Sequence, residues 1–376
     1  MLVELYIFAF AIVSYGILIT LAIIGFNKLK LNSIGSNNLS SDFVSIVISA
    51  RNEEDNIESC IYEIAKQNYP KSNFELIIVD DCSDDETFIL AENTLKKSGL
   101  NYQIIKQDKH QGKKQSIAKA LEIVKGDIIV TSDADVIHRH SNWLKSISGY
   151  FANNPINMLI MPIDYCNQKG IISKFQIVEN IALTGVTAGY TGIGKPFMCN
   201  GANLAFKKNI YEKVNGYESH LHLSSGEDIF LLESFKTVDA DKIFYGLSRE
   251  LIVKTKTENS LGTFLNQRTR WASKTKNNSN FINSFFAFTV VLSNLIFLAL
   301  LVAILKKSII LPYLSIFGLA KFVFDFLLLF LASDFLGRLK YIWWIIPFEC
   351  VYWIYALIIG LASFIYRPSW KGKKIN

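Results

Sequence analysis

Cysteine is scarce and unpatterned in this chain: Cys60, Cys82, Cys166, Cys199 and Cys350 are odd in number and widely scattered. No metal-binding spacing relates them, so a disulfide scaffold and a zinc finger are excluded, and the thiols are expected to be reduced and unpaired. Histidine is as sparse. His138 with His140 and His220 with His222 alternate, but without a second cluster they read as surface polar residues, with His222 near enough to Glu227 to reach an acceptor site. No internal repeat and no low-complexity tract occurs. No basic patch carries interleaved aromatics, and the net charge is a modest +6, so nucleic acid is not an expected partner.

Charge is missing altogether from two long runs, residues 5–26 and 281–305. Each is long enough to cross a bilayer core of about 30 Å at about 1.5 Å per residue. No small-residue cleavage site follows the first, and Lys28 and Lys30 sit just behind it, so it reads as an uncleaved anchor with its downstream side cytoplasmic. Two further segments are less simple. Residues 309–331 contain Lys321 and Asp325, four apart and able to neutralise each other, either along a lipid or sugar path or as a structural ion pair. Residues 341–366 carry Trp343, Trp344 and Trp353 as interfacial anchors, interrupted by Pro347 and Glu349. Four full crossings would leave Arg367, Lys371, Lys373 and Lys374 outside, against the positive-inside rule, unless one of the last two segments is re-entrant. These segments explain 50% hydrophobic content and a positive mean hydropathy, more than one soluble domain carries.

What the chain does have is an alternation of strand and helix patterns between its membrane parts, after a Ser/Asn-rich linker. Strands are expected at 44–50, 75–79, 102–106 and 127–130, with helices at 54–67, 86–98 and 114–124: an α/β fold with a mostly parallel sheet. Ligands of such sheets bind beyond the carboxyl ends of the strands. Arg51, Asn52, Glu53, Asp80, Asp81, Asp133 and Asp135 all fall there. Asp133-Ala134-Asp135, closing an apolar strand, places two carboxylates where they can share one hard cation, and Mg2+ or Mn2+ held in this way clamps a diphosphate. Ser83 or Asp84 is expected to cap the helix that follows Asp80 and Asp81. Gly112-Lys113-Lys114 offers a flexible backbone and a cation to a phosphate or base, or else simply opens a helix. Glu227-Asp228 and Gln267-Arg268-Thr269-Arg270-Trp271 lie further downstream.

Seven motifs in one order make the stretch from 44 to about 274 resemble the family two inverting glycosyltransferases, which have the glycosyltransferase A fold. They are Val47-Ile48-Ser49-Ala50-Arg51-Asn52-Glu53, Ile78-Val79-Asp80-Asp81 with Ser83-Asp84, Gly112-Lys113, Ser132-Asp133-Ala134-Asp135, Cys199-Asn200-Gly201-Ala202-Asn203-Leu204-Ala205, Gly226-Glu227-Asp228 and Gln267-x-x-Arg270-Trp271. The resemblance implies a Rossmann-like nucleotide-diphospho-sugar transferase domain flanked by transmembrane helices. Ala50, Arg51, Asn52, Glu53, Asp80, Asp81, Lys113 and Asp133 would bind the nucleotide sugar, a UDP-sugar in the first instance, and Asp133 with Asp135 the metal. Asn200, Gly201, Ala202 and Asn203 would line the sugar or acceptor pocket. Asp228 would be the general base, with Glu227 beside it, and Gln267, Arg270 and Trp271 would close over the diphosphate. The last motif belongs to cellulose, chitin and hyaluronan synthases and also to enzymes that glycosylate a lipid once.

The expected organisation is an anchor at 1–26, a linker at 27–42, a cytoplasmic catalytic domain at 43–258, an amphipathic interfacial segment at 259–280, three membrane segments within 281–366 and a basic tail at 367–376. The expected function is single transfer to a hydroxyl of a lipid or lipid-linked saccharide by an enzyme integral to a membrane, a bacterial inner membrane by expectation. The competing readings are a processive polysaccharide synthase, for which the spans are few, a catalytically idle membrane scaffold, which would have lost Asp228 or Asp135, and a transporter, whose only support is Lys321 with Asp325.

Overall fold

The computed structural model describes residues 2–32, 42–216, 226–274, 281–365, 369–370 and 373–374. Residues 33–41 of the linker, His220, His222 and most of the basic tail therefore lie outside the described residues, while residues 27–32 of the expected linker continue the first helix. The chain divides into two units, one of Lys28–Cys166 with Gly194–Lys256, the other of Met1–Asn27, Asn167–Ile193 and Thr257–Asn376.

In chain order the elements are α1 (Leu2–Asn32), β1 (Val44–Ala50), α2 (Ile57–Ala65), β2 (Phe74–Asp80), α3 (Thr87–Ser98), β3 (Asn101–Lys106), α4 (Lys113–Leu121) and β4 (Ile128–Asp133). Then come α5 (Trp143–Asn153), β5 (Met158–Ile160), β6 (Ile163–Tyr165), α6 (Ile171–Gly192), β7 (Asn203–Lys207), α7 (Lys208–Lys213), α8 (Glu227–Asp239), β8 (Ile243–Tyr245) and β9 (Val253–Thr255). The rest are α9 (Leu261–Lys274), α10 (Phe281–Leu305), α11 (Leu311–Leu336), α12 (Ile345–Ile365) and the short pair β10 (Ser369–Trp370) and β11 (Lys373–Lys374).

The first unit is built on a seven-stranded sheet of order β3-β2-β1-β4-β7-β5-β8. The pairs β3–β2, β2–β1, β1–β4 and β5–β8 are parallel, and β7 runs antiparallel between β4 and β5, so the sheet is mostly parallel as expected. β1 and β2 are apolar runs buried almost throughout, as strands covered on both faces must be. α2 buries Ile57, Cys60, Ile61 and Ile64, a helical stripe that packs into the sheet's core with Ile46, Ile48 and Leu76. It starts at Ile57 rather than 54 because the carbonyl of Glu53 first closes a turn with the N–H groups of Asn56 and Ile57.

The second unit holds α6 and the helices from α9 onward, together with most of α1. Four described helices are long and apolar enough to cross a membrane, at Leu5–Leu31, Phe288–Leu305, Leu311–Leu336 and Leu339–Ser363. Pro347 falls in the first turn of α12, where its missing N–H removes no helical bond, so it opens that helix instead of interrupting it. Lys321 is 2% exposed and donates to Asp325 at 2.7 Å and to Glu349, while the hydroxyl of Tyr15 donates to Asp325. The expected ion pair is thus a four-residue cluster joining α1, α11 and α12.

α6 lies outside the elements expected from the sequence. It crosses α1 at small residues: a Cβ on Gly189 would stand 2.2 Å from the carbonyl oxygen of Ala22, and one on Gly192 the same distance from that of Gly25. Such contact between backbones is available only to glycine.

Candidate active site

Parallel pairing sets the strand ends side by side. Ala50 is in register with Asp80 on β2, and Ser49 with Asp133 on β4. The turns beyond them are tied together by the motif residues. Arg51 donates to the carbonyls of Asp81 and Cys82 at 2.7 and 2.6 Å and to the Asp84 carboxylate at 3.1 Å. Asn52, at φ 51°, exchanges bonds with the next turn: its N–H donates to Ser83 and its side-chain oxygen accepts from Asp84, both at 3.0 Å. The Glu53 N–H donates to Thr87 at 2.7 Å. Asp80 is 1% exposed and accepts from the N–H and hydroxyl of Ser83. Asp81, fully buried, accepts from the N–H groups of Gln111 and Gly112 at 2.7 and 2.8 Å and meets His110 Nδ1 at 2.7 Å. Its carboxylate thereby fixes the loop that leads to Lys113. Asp85, rather than Ser83 or Asp84, serves the start of α3, accepting from the Thr87 N–H at 3.0 Å. Ser83 and Asp84 are held by the inter-turn bonds.

Gly112, at φ 100°, turns the chain into α4 and brings Lys113 to Asp133, Nζ to Oδ1 at 2.5 Å. Asp135 follows two residues on and accepts from the Thr255 hydroxyl at 3.2 Å. Burial pushes the Asp135 carboxyl up to about 6, and repulsion from Asp133 and Glu53 adds to this, partly offset by Lys113 and the Thr255 bond. Glu53, Asp133 and Asp135 thus lie close together with Lys113 beside them, and hard oxygen donors of this kind suit a divalent cation. Among the described residues no three His, Cys, Asp or Glu side chains are grouped to hold a metal. Cys60 lies beneath, its thiol pushed up by burial and by the acids Glu63, Asp135, Asp133 and Glu53, so it stays protonated. His138 is no surface residue: it is 3% exposed against Trp143, ring centroids 4.4 Å apart, and burial lowers it to about 3, so it is neutral. His140 is exposed, as expected.

Asp228 lies in the first turn of α8, which Gly226 enters at φ 96°. Its carboxylate accepts from the Ile229 N–H at 2.9 Å and from the Gly201 N–H at 3.4 Å, and its carbonyl accepts from Cys199 Sγ at 3.2 Å. The segment Asn200-Gly201-Ala202-Asn203 therefore adjoins Asp228, and the pairing of Asn203 with Ser132 puts it beside the strand that ends at Asp133. Within the segment Asn200 is exposed and Ala202 buried. The Asn203 side chain, fully buried, donates to the carbonyls of Pro162 and Leu251 at 2.8 and 2.9 Å and accepts from Trp143 at 3.2 Å. It holds the sheet and leaves no group for a ligand.

Gln267, Arg270 and Trp271 lie on α9, in the other unit. Gln267 donates to Glu258 at 2.9 Å and accepts from Arg268. Arg268, an unassigned position in the sequence motif, is 4% exposed, bonded to Glu179 and stacked 4.2 Å over Trp271. A lone arginine facing the apolar side of an amphipathic helix is the signal that could have found it.

Residues 45–214 match the family model described as Glycosyl transferase family 2. That stretch is similar to family 2 glycosyltransferase domains. The domain spans β1 to α7 and contains every candidate up to Asn203, whereas Asp228 and α9 lie beyond it. The chain is 25% identical over 187 residues to "Glycosyltransferase AglE" of Haloferax volcanii, covering 49% of this chain and 59% of that protein. It is 34% identical over 96 residues to "Beta-monoglucosyldiacylglycerol synthase" of Trichormus variabilis, 25% of this chain and 20% of that one. It thus spans less than two thirds of either relative. The solved mannosyltransferase PcManGT from Pyrobaculum calidifontis, in complex with GDP-Man and Mn2+, superposes with a TM-score of 0.56 at 14% identity, over 96% of this chain and 99% of that chain. The chain therefore has the glycosyltransferase A fold.

Proposed function

We propose that this chain is a membrane-bound inverting glycosyltransferase that moves a sugar from a nucleoside diphosphate donor to a hydroxyl of a lipid or lipid-linked saccharide. The observation that carries this reading is the gathering of Glu53, Lys113, Asp133 and Asp135 at the carboxyl ends of parallel strands, beside a segment hydrogen-bonded to Asp228. A diphosphate supplies the negative charge that Lys113 can share with Asp133, and Asp133 and Asp135 would hold Mg2+ or Mn2+. When bound, the cation would neutralise charge on the departing diphosphate. Mn2+ and GDP-Man in the solved structure of similar fold support a divalent ion and a nucleotide sugar, and the glucosylated diacylglycerol in one relative's name supports a lipid acceptor.

In this reading Asp228 takes the proton of the acceptor hydroxyl as the oxygen attacks the anomeric carbon opposite the leaving diphosphate. Such a base needs contact with the acceptor more than a high pKa, because the hydroxyl becomes acidic only as the new bond forms. The N–H of Gly201 and that of Ile229 keep its carboxylate oriented. Asp80 and Asp81 act on the nucleotide through the turns they hold, and Arg51 and Asn52 join those turns. Arg270 and Trp271 are assigned to the donor by residue type, a fixed donor fork and a flat apolar face. The apolar helices bring the acceptor's own solvent, the bilayer, to the protein.

The test is nucleoside diphosphate release by the full chain in native lipid extract with UDP-glucose, UDP-N-acetylglucosamine and GDP-mannose, with and without Mn2+. Asp228→Asn is expected to lower turnover by about a hundredfold or more while donor binding by titration stays near normal. Unchanged turnover in that variant would remove Asp228 as base. Donor binding without release from any sugar in the unaltered protein would favour an idle scaffold.

A further inference from the structure

The Gln267–Trp271 segment is not held by its own helix alone. One face of α6 carries Gln176 and Glu179, three residues apart and therefore stacked, 0% and 8% exposed. The Gln176 amide grips the backbone of Glu258 at two points, Nε2 to its carbonyl and Oε1 from its N–H, both 2.9 Å. The carboxylate of Glu258, so fixed, accepts from Gln267 Nε2 at 2.9 Å. Glu179 accepts from Arg268 Nε and NH2, both at 2.7 Å, and from the hydroxyl of Tyr355 on α12. Arg268 in turn donates from NH1 to Gln267 Oε1 and lies 4.2 Å over Trp271 and 4.8 Å over Phe264.

Both ends of the Gln267 amide are thus occupied inside the protein, and the Trp271 ring rests on a guanidinium that cannot turn. A buried ion pair of this kind adds little stability over apolar packing of the same shape. What it adds is orientation, and a displacement of about 1 Å at a reacting group can cost about a hundredfold in rate.

We propose that Gln176 and Glu179 are positioning residues for transfer. Through Glu258 and Arg268 they set the Gln267 amide and the Trp271 ring. The inference rests on the reading that α9 serves the donor. It departs from the sequence expectation in giving Gln267 an internal role.

The experiment is steady-state release of nucleoside diphosphate by the full chain in native lipid, using whichever of UDP-glucose, UDP-N-acetylglucosamine and GDP-mannose the unaltered protein turns over. Glu179→Gln keeps the shape and loses the charge. It should lower kcat by about tenfold or more with donor KM within about threefold, because support of the leaving group matters most in the transition state. Should that variant fail to fold, the double variant Glu179→Gln with Arg268→Gln leaves no unpaired charge and should show the same kcat loss. Either variant, folded and with unchanged kcat, overturns the proposal, as does an equal rise in KM with no fall in kcat. Trp271→Ala separates the two readings. If it is fully active, the assignment of α9 to the donor has failed. If it is impaired while Glu179→Gln is not, only the positioning role has failed.

Discussion

Asp135 ties the acid cluster to pH. Its folded pKa of about 6 stands above the value of about 3.9 for an unfolded chain. The metal-free folded state therefore binds more protons between these values. This group costs no stability below about pH 4, and its cost grows until the pH has passed about 6. Thermal melting of metal-free protein should fall across that window more than melting of Asp135→Asn, and saturating Mn2+ should abolish the difference. Because a cation must displace the proton, apparent Mn2+ affinity should drop about tenfold per unit below pH 6, and a flat profile would count against Asp135 as a ligand. Asn203 makes a different point. Asn203→Ala removes three buried side-chain hydrogen bonds and leaves the carbonyls of Pro162 and Leu251 to find other partners, a loss of about 2–4 kcal/mol at roughly 1 kcal/mol per bond plus desolvation. Denaturant melting measures it, and a stable variant with altered donor preference would return Asn203 to the sugar pocket.

At the scale of elements, α6 is the helix on which the apolar unit turns. Its face of Gly185, Gly189 and Gly192 meets α11 and α1, while Gln176 and Glu179 reach the α9 region and α12. Gly189→Leu drives a side chain into the Ala22 carbonyl, so α1 and α6 must part. A fall in melting temperature in lipid nanodiscs equivalent to about 1–3 kcal/mol is expected. Melting like that of the unaltered protein would mean that the two backbones do not touch. The strands were legible where α6 was not. β1, β2 and β4 read as apolar runs, the last two closed by acids, because a parallel sheet buries both faces, and β1 was bounded at Val44 and Ala50 to the residue. The apolar stripe of α6, Ile171, Phe175, Val178 and Ala182, covers only its first half; from Gly185 to Gly192 the helix packs through glycine and shows no such stripe.

For the whole molecule, four apolar helices predict retention in membranes after alkaline carbonate washing. Release into the wash would refute the membrane reading. The cluster of Lys321, Asp325, Glu349 and Tyr15 suits such a bundle, because charges in an apolar interior persist when they satisfy one another. The sequence pattern found Lys321 with Asp325 at four-residue spacing. Glu349 and Tyr15 come from other helices, and spacing along one helix carries no information about them.

The same division runs through the protein. By itself the sequence determined the strand order in the chain, the acids at the strand ends and the apolar runs, because local periodicity and residue chemistry are written in neighbouring positions. Only tertiary structure decided which of those acids remain available. Asp81 turns inward to a loop, Asp135 is raised by burial among like charges, Asn203 is locked into the sheet, and Gln267 is held by Glu258 and Arg268. Each of these depends on partners tens of residues away, on the exclusion of water or, for Gln267, on a neighbour that the distant Gln176 holds, and none of these exists until the chain has folded.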